Sequence, residues 1–402
     1  MFRTVAVIFL SVLMLTGCVN FLEDEKVDIR RHLFTPYERP PVDQITVADY
    51  DELLIVVIRA IMAYETGIHL LYYHRDIVEI NEDLRFLRNE ILYEHPVGAY
   101  IVANINANAT RIVTHYEIDI EIEYKRTKEQ LDSIIVVSTE QSVRTNLLRF
   151  MSEYSEVIVF RSRLQLNEEV ITELVRDTYY QNPHLIVMLP MVTVETFPEE
   201  GLDRIYEIQF GNTENPRMLQ QYGSVLTMSI QLNAERAIGS TDSETLITLV
   251  NNLIESTSYD EAAARTIHAH GVQNFAATAW GALIRGNAVG EGFAMAFKAL
   301  ADELGFDCRV ILGHLDGMVH AWNIVALNGD FYHIDVSMCV VNGIESAFLK
   351  SDTDFEEMMY AWDRENTVRC EGPLTLEDLL GNGVTGGNNE EDDEPDEEEE
   401  EI

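Results

Sequence analysis

A histidine and an aspartate in the C-terminal third of the chain have the types and spacing needed for acid–base chemistry. His320 and Asp335 lie in two apolar runs, 320–327 and 331–337, that flank Asn328-Gly329. Asn-Gly between two apolar runs predicts a β-hairpin with a two-residue loop. That loop would pair His320 with Ser337 and make Asp335 the diagonal same-face neighbour of His320, about 7–8 Å away at the backbone. A carboxylate beside an imidazole can orient a histidine base, although such pairs also occur for purely structural reasons.

Five segments around this hairpin form an ordered set of motifs: 279–283 (Ala-Trp-Gly-Ala-Leu), 288–294 (Ala-Val-Gly-Glu-Gly-Phe-Ala), 304–308 (Leu-Gly-Phe-Asp-Cys), 320–323 (His-Ala-Trp-Asn) and 332–335 (Tyr-His-Ile-Asp). Together they resemble the bacterial transglutaminase-like domain of the papain-like cysteine protease clan, over about residues 245–377. In that family a cysteine at the N-terminus of a central helix is the nucleophile, so the resemblance implies that His320 is the base and that Asp335 orients it. Trp322 and Glu291 belong to the same motifs and are candidate binding residues.

Gly290 occupies the position of that nucleophile. Where the family reads Val-Cys-Glu-Gly, this chain reads Val289-Gly290-Glu291-Gly292 at the start of a helix predicted over 289–305. The family's chemistry requires a thiolate activated by the helix N-terminus and the histidine, and glycine has no side chain. We therefore expect His320 and Asp335 to form a vestigial dyad, and Gly290 to leave room for a ligand group or a water. No cofactor and no metal site are expected.

The remaining cysteines suggest one structural cross-link. Cys308 opens an apolar strand and is expected to be a small core residue. Cys339 and Cys370 are the pair most suited to a disulfide, because an exported chain meets oxidising conditions in many bacteria. Three free, buried thiols are the alternative.

The N-terminus predicts export and lipid attachment. Arg3 precedes an apolar stretch from Val5 to Leu15, which is too short to span a bilayer and suits a signal peptide. Leu15-Thr16-Gly17-Cys18 resembles a bacterial lipobox. This predicts that residues 1–17 are a lipoprotein signal peptide and that lipidated Cys18 anchors the mature protein to the membrane outside the cytoplasm.

The charge of the chain excludes one class of partner. Its 402 residues contain 69 Asp and Glu against 28 Lys and Arg, for a formal net charge of −41. This field repels phosphate backbones, so no nucleic-acid partner is expected. The Gly- and Asn-rich segment from 378 and the acidic run that ends the chain at 402 predict a disordered tail.

An α+β fold in several parts is predicted. Residues 18–45 are expected to form a tether, followed by two tandem α/β repeat units at 46–134 and 135–238. Tyr93-Glu-His-Pro96 is echoed by Tyr180-Gln-Asn-Pro183, and each unit reads as helix, strand, helix and two strands. The transglutaminase-like domain, with its central helix packed on an antiparallel sheet, is expected over 239–377.

Three functions remain open at this stage. The first is a non-enzymatic surface lipoprotein whose transglutaminase-like domain binds a protein or peptide ligand at its cleft or serves a structural role. The second is an active thiol acyltransferase or cysteine peptidase acting on cell-surface proteins or peptides. The third is a spacer that holds the tail away from the membrane.

Overall fold

The computed structural model describes residues 45–381, apart from 74–75, 114, 213 and 271–273. Cys18, the signal peptide, the tether up to residue 44 and the acidic tail lie outside the described residues. Within the described part, no helix combines the length and apolar character needed to cross a membrane. The contacts divide this part into two compact units, one of residues 45–134 and 197–205 and one of residues 135–196 and 206–381.

The first unit is built on a four-stranded sheet whose strands have the order β1-β2-β4-β3. Its centre is a strand in which Ile118, Ile120 and Ile122 are buried while the acids between them point outward, as strict alternation predicts. Its elements are β1 (Ile45–Val47), α1 (Tyr50–Ala63), β2 (Gly67–Tyr72), α2 (Ile77–Asn89), a π-helical turn (Glu90–Glu94), α3 (Pro96–Ile101), β3 (Val102–Arg111), β4 (Tyr116–Tyr124) and α4 (Lys128–Asp132).

The second unit begins with a sheet of the same design, in the order β5-β6-β8-β7. In both sheets the first two strands pair in parallel and are connected by a helix. The other two strands are consecutive in the chain. Each sheet contains the predicted order of helix, strand, helix and two strands, preceded by a short strand that was not predicted. The elements are β5 (Ile135–Val136), α5 (Glu140–Ser152), β6 (Val157–Ser162), α6 (Glu168–Gln181), β7 (Met191–Phe197) and β8 (Arg204–Gly211).

The rest of the second unit surrounds a buried helix and an antiparallel sheet in the order β13-β12-β11-β14. Its elements are α7 (Pro216–Ala237), α8 (Asp242–Ser256), β9 (Ser258–Tyr259), α9 (Glu261–His270), a 3-10 turn (Phe275–Ala277), a π-helical turn (Gly281–Arg285), β10 (Asn287–Ala288), α10 (Gly290–Glu303), β11 (Cys308–Leu315), β12 (Met318–Leu327), β13 (Asp330–Ile334), α11 (Val336–Asn342), a 3-10 turn (Ile344–Ser346), α12 (Asp352–Glu357), β14 (Tyr360–Ala361) and α13 (Leu376–Gly381).

The helix α10 is the centre of this part, as the sequence predicts. It is rich in small residues, and nearly all of its side chains are buried, so other elements can approach it from every side. The amide of Asn323 on β12 donates to the carbonyl of Ala294 over 3.0 Å and joins the helix to the sheet. The helix is therefore fixed against the strand that carries His320.

The boundary predicted near residue 238 does not separate compact bodies. One continuous core runs from Val137 in the α/β part to Cys370 near the C-terminal end of the described chain. It is continuous because α7 packs against both α8 and α10, so that the repeat-like sheet and the C-terminal sheet belong to one unit.

Candidate functional site

The hairpin that carries His320 has the predicted register. Asn328 and Gly329 both have positive φ, the backbone that this two-residue turn requires. Leu327 pairs with Asp330, in agreement with that loop. The second strand, however, ends at Ile334, and the prediction that it continues to residue 337 is wrong.

Asp335 ends the strand because it caps a helix instead. Its carboxylate accepts a hydrogen bond from the backbone N–H of Met338 over 3.1 Å, and α11 begins at the next residue. Aspartate is among the best N-cap residues, since its side chain satisfies a helix N–H that otherwise has no partner. This position still brings the carboxylate to the imidazole, although from a helix cap and not from a strand.

His320 and Asp335 form a close, largely buried pair. His320 Nε2 lies 2.6 Å from Asp335 Oδ2, and the two side chains are 13% and 1% exposed. The same carboxylate accepts hydrogen bonds from the hydroxyls of Tyr360 (2.7 Å) and Ser337 (2.6 Å). Burial by itself raises the pKa of Asp335, but the hydrogen bond and electrostatic attraction of His320, followed by the Ser337 and Tyr360 hydroxyls, outweigh burial and hold its pKa below the ordinary value. The site therefore contains a stable carboxylate that orients the imidazole.

Sequence reasoning did not identify Tyr360 or Ser337 as parts of this arrangement. The Tyr360 hydroxyl comes from β14, whose strand partner in the sheet is β11. Burial and the Asp335 charge both raise the pKa of Tyr360, so its hydroxyl stays protonated and donates. The predicted hairpin paired Ser337 with His320 across the two strands. That pair does not form, because the second strand ends at Ile334.

Trp322 supports the site from inside the core. It is fully buried, and its indole N–H donates to His333 Nδ1 over 3.0 Å. Gly313 makes room for the ring, because a Cβ there would lie 2.6 Å from Trp322 Cη2. The prediction that Trp322 binds a ligand is therefore corrected: the indole is enclosed by protein and its one donor is already used.

His333 belongs to a second histidine–aspartate pair behind Trp322. Because His333 Nδ1 accepts from the indole, its proton is on Nε2, which lies 2.9 Å from Asp352 Oδ1. Burial lowers the pKa of His333, which keeps the ring neutral. The Arg364 guanidinium lies 3.2 Å from the other oxygen of Asp352.

This second pair and a nearby cysteine have the donor types of a metal site. His333, Asp352 and Cys370 bring one donor atom each to within 4.8 Å of one another. A metal on His333 Nε2 would move the proton to Nδ1, where it would face the indole N–H of Trp322. Arg364 already neutralises Asp352, and burial raises the pKa of Cys370 to about 12, which opposes thiolate formation. These residues therefore fit a hydrogen-bonded core better than a metal site.

Gly290 begins α10 directly beneath the ring of His320. An ideal Cβ at Gly290 would lie 2.5 Å from His320 Cε1 and 2.8 Å from Nδ1, both closer than real Cβ contacts. The ring thus occupies the space that a side chain at residue 290 would need. The expectation that Gly290 leaves room for a ligand group or a water is corrected, because the imidazole itself fills that room.

Glu291 is held by a residue from the α/β part of the same unit. The hydroxyl of Tyr180, at the end of α6, donates to Glu291 Oε1 over 2.7 Å. Burial raises the pKa of Glu291 although the Tyr180 hydrogen bond opposes the shift. Glu291 was predicted as a binding residue, and the structure places its carboxylate on Tyr180. Sequence reasoning used Tyr180 only as part of the repeat.

The three cysteines of the described part are free and buried. The predicted disulfide between Cys339 and Cys370 is therefore corrected: Cys339 lies on α11 with its thiol 3.5 Å from the Ile344 carbonyl, and Cys370 lies beside Asp352. Burial raises the pKa of Cys339 to about 12 and raises that of Cys308 still further. All three thiols are thus protonated at neutral pH, unlike a catalytic thiolate.

Comparisons with known proteins give distant structural similarity only. A scan against protein-family models finds no match, and no curated protein matches this chain. Among solved structures, the chain is similar to the crystal structure of a TGase, with 14% identity and a TM-score of 0.26, over 54% of this chain and 60% of that one. It is also similar to a "Putative Cysteine Protease" from Cytophaga hutchinsonii, with 15% identity and a TM-score of 0.23, over 38% of this chain and 65% of that one. The chain thus spans less than two thirds of either protein, and similarity this low assigns neither activity to it.

Proposed function

We propose that this protein is a lipid-anchored extracytoplasmic protein in which a transglutaminase-like domain acts as a non-enzymatic binding or structural module. The observation that carries the proposal is the approach of His320 to Gly290. A histidine oriented by a carboxylate faces a helix N-terminus that has no nucleophile, and its ring fills the nucleophile's place.

The described cysteines offer no replacement for the missing nucleophile. Each is buried and has a raised pKa, so none supplies a thiolate at neutral pH. The intact His320–Asp335 pair is the one feature that favours the second candidate, an active thiol acyltransferase or cysteine peptidase. That candidate needs a thiol within reach of His320, and the nearest side-chain position on α10 is a glycine.

The experiment restores the thiol with Gly290→Cys. Its Cβ forces the His320 ring to shift by several tenths of an ångström, after which the thiol lies at a helix N-terminus beside the imidazole. We expect its pKa to fall below the free value of about 8.5. The readout is the pH dependence of iodoacetamide alkylation, with the wild-type chain giving the background of the three buried thiols.

A matched control separates the helix from the histidine. Glu140→Cys places a thiol at the same first position of α5, where the cap is Thr139. The proposal expects the Gly290→Cys thiol to have the lower pKa of the two, and expects His320→Ala to remove most of the difference. If the thiol pKa of Gly290→Cys equals that of Glu140→Cys and does not change when His320→Ala is added, the arrangement is not a relic of a thiol site.

The lipid anchor is tested separately by mass spectrometry of the natively expressed protein. A diacylated or triacylated N-terminus at Cys18 is expected. An unmodified Met1, or cleavage at another residue, would remove the anchor from the proposal and leave the site argument unchanged.

A further inference from the structure

The helix α7 has a second apolar face that its own unit does not cover. One side of this 22-residue helix is buried in the core through Leu219, Leu226, Ile230 and Ala234. On nearly the opposite side four large apolar side chains are 42–70% exposed, namely Met218, Val225, Met228 and Leu232. Their spacings of seven, three and four residues are those of a coiled-coil seam. A helix needs only one apolar face for its own core, so the exposed stripe indicates a contact with another helix.

The charge of α7 suits a partner that is not strongly basic. Its only acid is Glu235, and its bases are Arg217 and Arg236, in a chain whose net charge is −41. A cationic partner would bind the acidic surfaces of this protein in preference to α7. The stripe therefore fits a neutral, amphipathic helix.

Two charges make this helix complementary to itself. Arg217 and Glu235 are eighteen residues apart, which is five full turns, so they lie on the same side of the helix at a separation of about 27 Å. Leu226 is midway between them. Both flank the exposed stripe, and neither forms an ion pair within the described residues.

A twofold axis through the midpoint of α7, near Leu226, would bring the two charges of one copy opposite those of a second copy. In an antiparallel pair of α7 helices, Arg217 of each copy lies opposite Glu235 of the other, and the two apolar stripes meet between these ion pairs. We propose that the exposed stripe of α7 is the interface of an antiparallel homodimer. One helix face of roughly 33 by 10 Å is smaller than the roughly 800 Å² per partner of a stable interface, so the dimer is weak.

The axis predicts which single thiol cross-links to its own copy. Val225 lies on the stripe within one residue of the axis, so Val225→Cys in the full-length chain should give a dimer with a short bismaleimide. Gln231→Cys is the matched control, because it is exposed on the same helix but turned about 100° away from the centre of the stripe. Equal yields at both positions, or no dimer at Val225→Cys, would overturn the proposal. The thiol of Val225→Cys could also be protected from a monofunctional maleimide although no dimer forms. That result would assign the stripe to another occupant, such as residues 19–44, and would also overturn the homodimer proposal.

Charge reversal tests the antiparallel arrangement. Arg217→Glu or Glu235→Arg turns two symmetric attractions into repulsions, and each should raise the dissociation constant about tenfold. The double variant R217E/E235R restores both pairs in exchanged form and should restore the cross-linking yield. A double variant as weak as the single variants would contradict the twofold pairing, whatever the effect of the single changes.

Discussion

Replacement of Asp335 by Asn tests whether the carboxylate organises the site. Its two oxygens accept hydrogen bonds from His320, Ser337, Tyr360 and the Met338 backbone. The amide of asparagine keeps only one of these two acceptor oxygens. Its N–H₂ group takes the place of the other oxygen and faces hydrogen-bond donors that it cannot accept from. Hydrogen bonds to a charged group contribute about 1.5–3 kcal/mol each, and breaking a buried pair costs about 3–5 kcal/mol. We therefore expect Asp335→Asn to lower the free energy of unfolding of the second unit by about 3–5 kcal/mol at pH 7.

The assay is urea unfolding followed by tryptophan fluorescence. All three tryptophans, at 280, 322 and 362, lie in the second unit, so the signal reports that unit alone. Asp307→Asn is the control, because Asp307 pairs with Arg309 at the exposed surface and should contribute less than about 1 kcal/mol. A loss of under about 1 kcal/mol for Asp335→Asn would refute the reasoning.

The pH dependence gives the same prediction a second readout. The pKa of Asp335 in the folded chain is below its unfolded value of about 3.9. Its stabilisation is therefore fully present above that value and is lost as the pH falls through the lower folded pKa. The difference in unfolding free energy between wild type and Asp335→Asn should narrow as the pH falls below about 4. A difference that widens as the pH falls further below about 4 would contradict this sign.

Three further substitutions or measurements address the surroundings of the site. Gly313→Ala places a Cβ 2.4 Å from the Ala361 carbonyl and should destabilise by about 1–3 kcal/mol, whereas Gly211→Ala, whose Cβ meets nothing closer than 3.5 Å, should be nearly neutral by the same urea assay. Tyr180→Phe leaves Glu291 without its hydrogen-bond donor and should lower the free energy of unfolding by about 1–3 kcal/mol at pH 7. This loss should shrink as the pH is lowered and the Glu291 carboxyl is protonated. A loss that does not change with pH would exclude Glu291 as its cause. Ellman titration should find Cys308, Cys339 and Cys370 unreactive in the native protein and all reactive in denaturant without reductant, whereas a missing pair would restore the disulfide.

The features predicted correctly from sequence depend on local chemistry. Asn328-Gly329 fixes the hairpin register because few residues adopt the backbone of its turn, and the apolar spacing predicts α10 to within two residues. The course of the chain after Ile334 was missed because an apolar run does not reveal that Asp335 prefers to cap a helix. Tyr360 and Tyr180 were missed because their contacts depend on how distant elements pack. The space above Gly290 was misjudged because only the folded chain shows where the imidazole rests.

The most direct test of the non-enzymatic proposal is a turnover measurement on the unmodified full-length protein. Acyl transfer from a glutamine-containing peptide to a fluorescent amine, and hydrolysis of peptide substrates, would be measured before and after iodoacetamide treatment. The proposal predicts no turnover above the rate of an Asp335→Asn/His320→Ala variant, and no effect of iodoacetamide. Turnover that iodoacetamide abolishes in the wild-type chain would show that a thiol serves this site and would contradict the proposal.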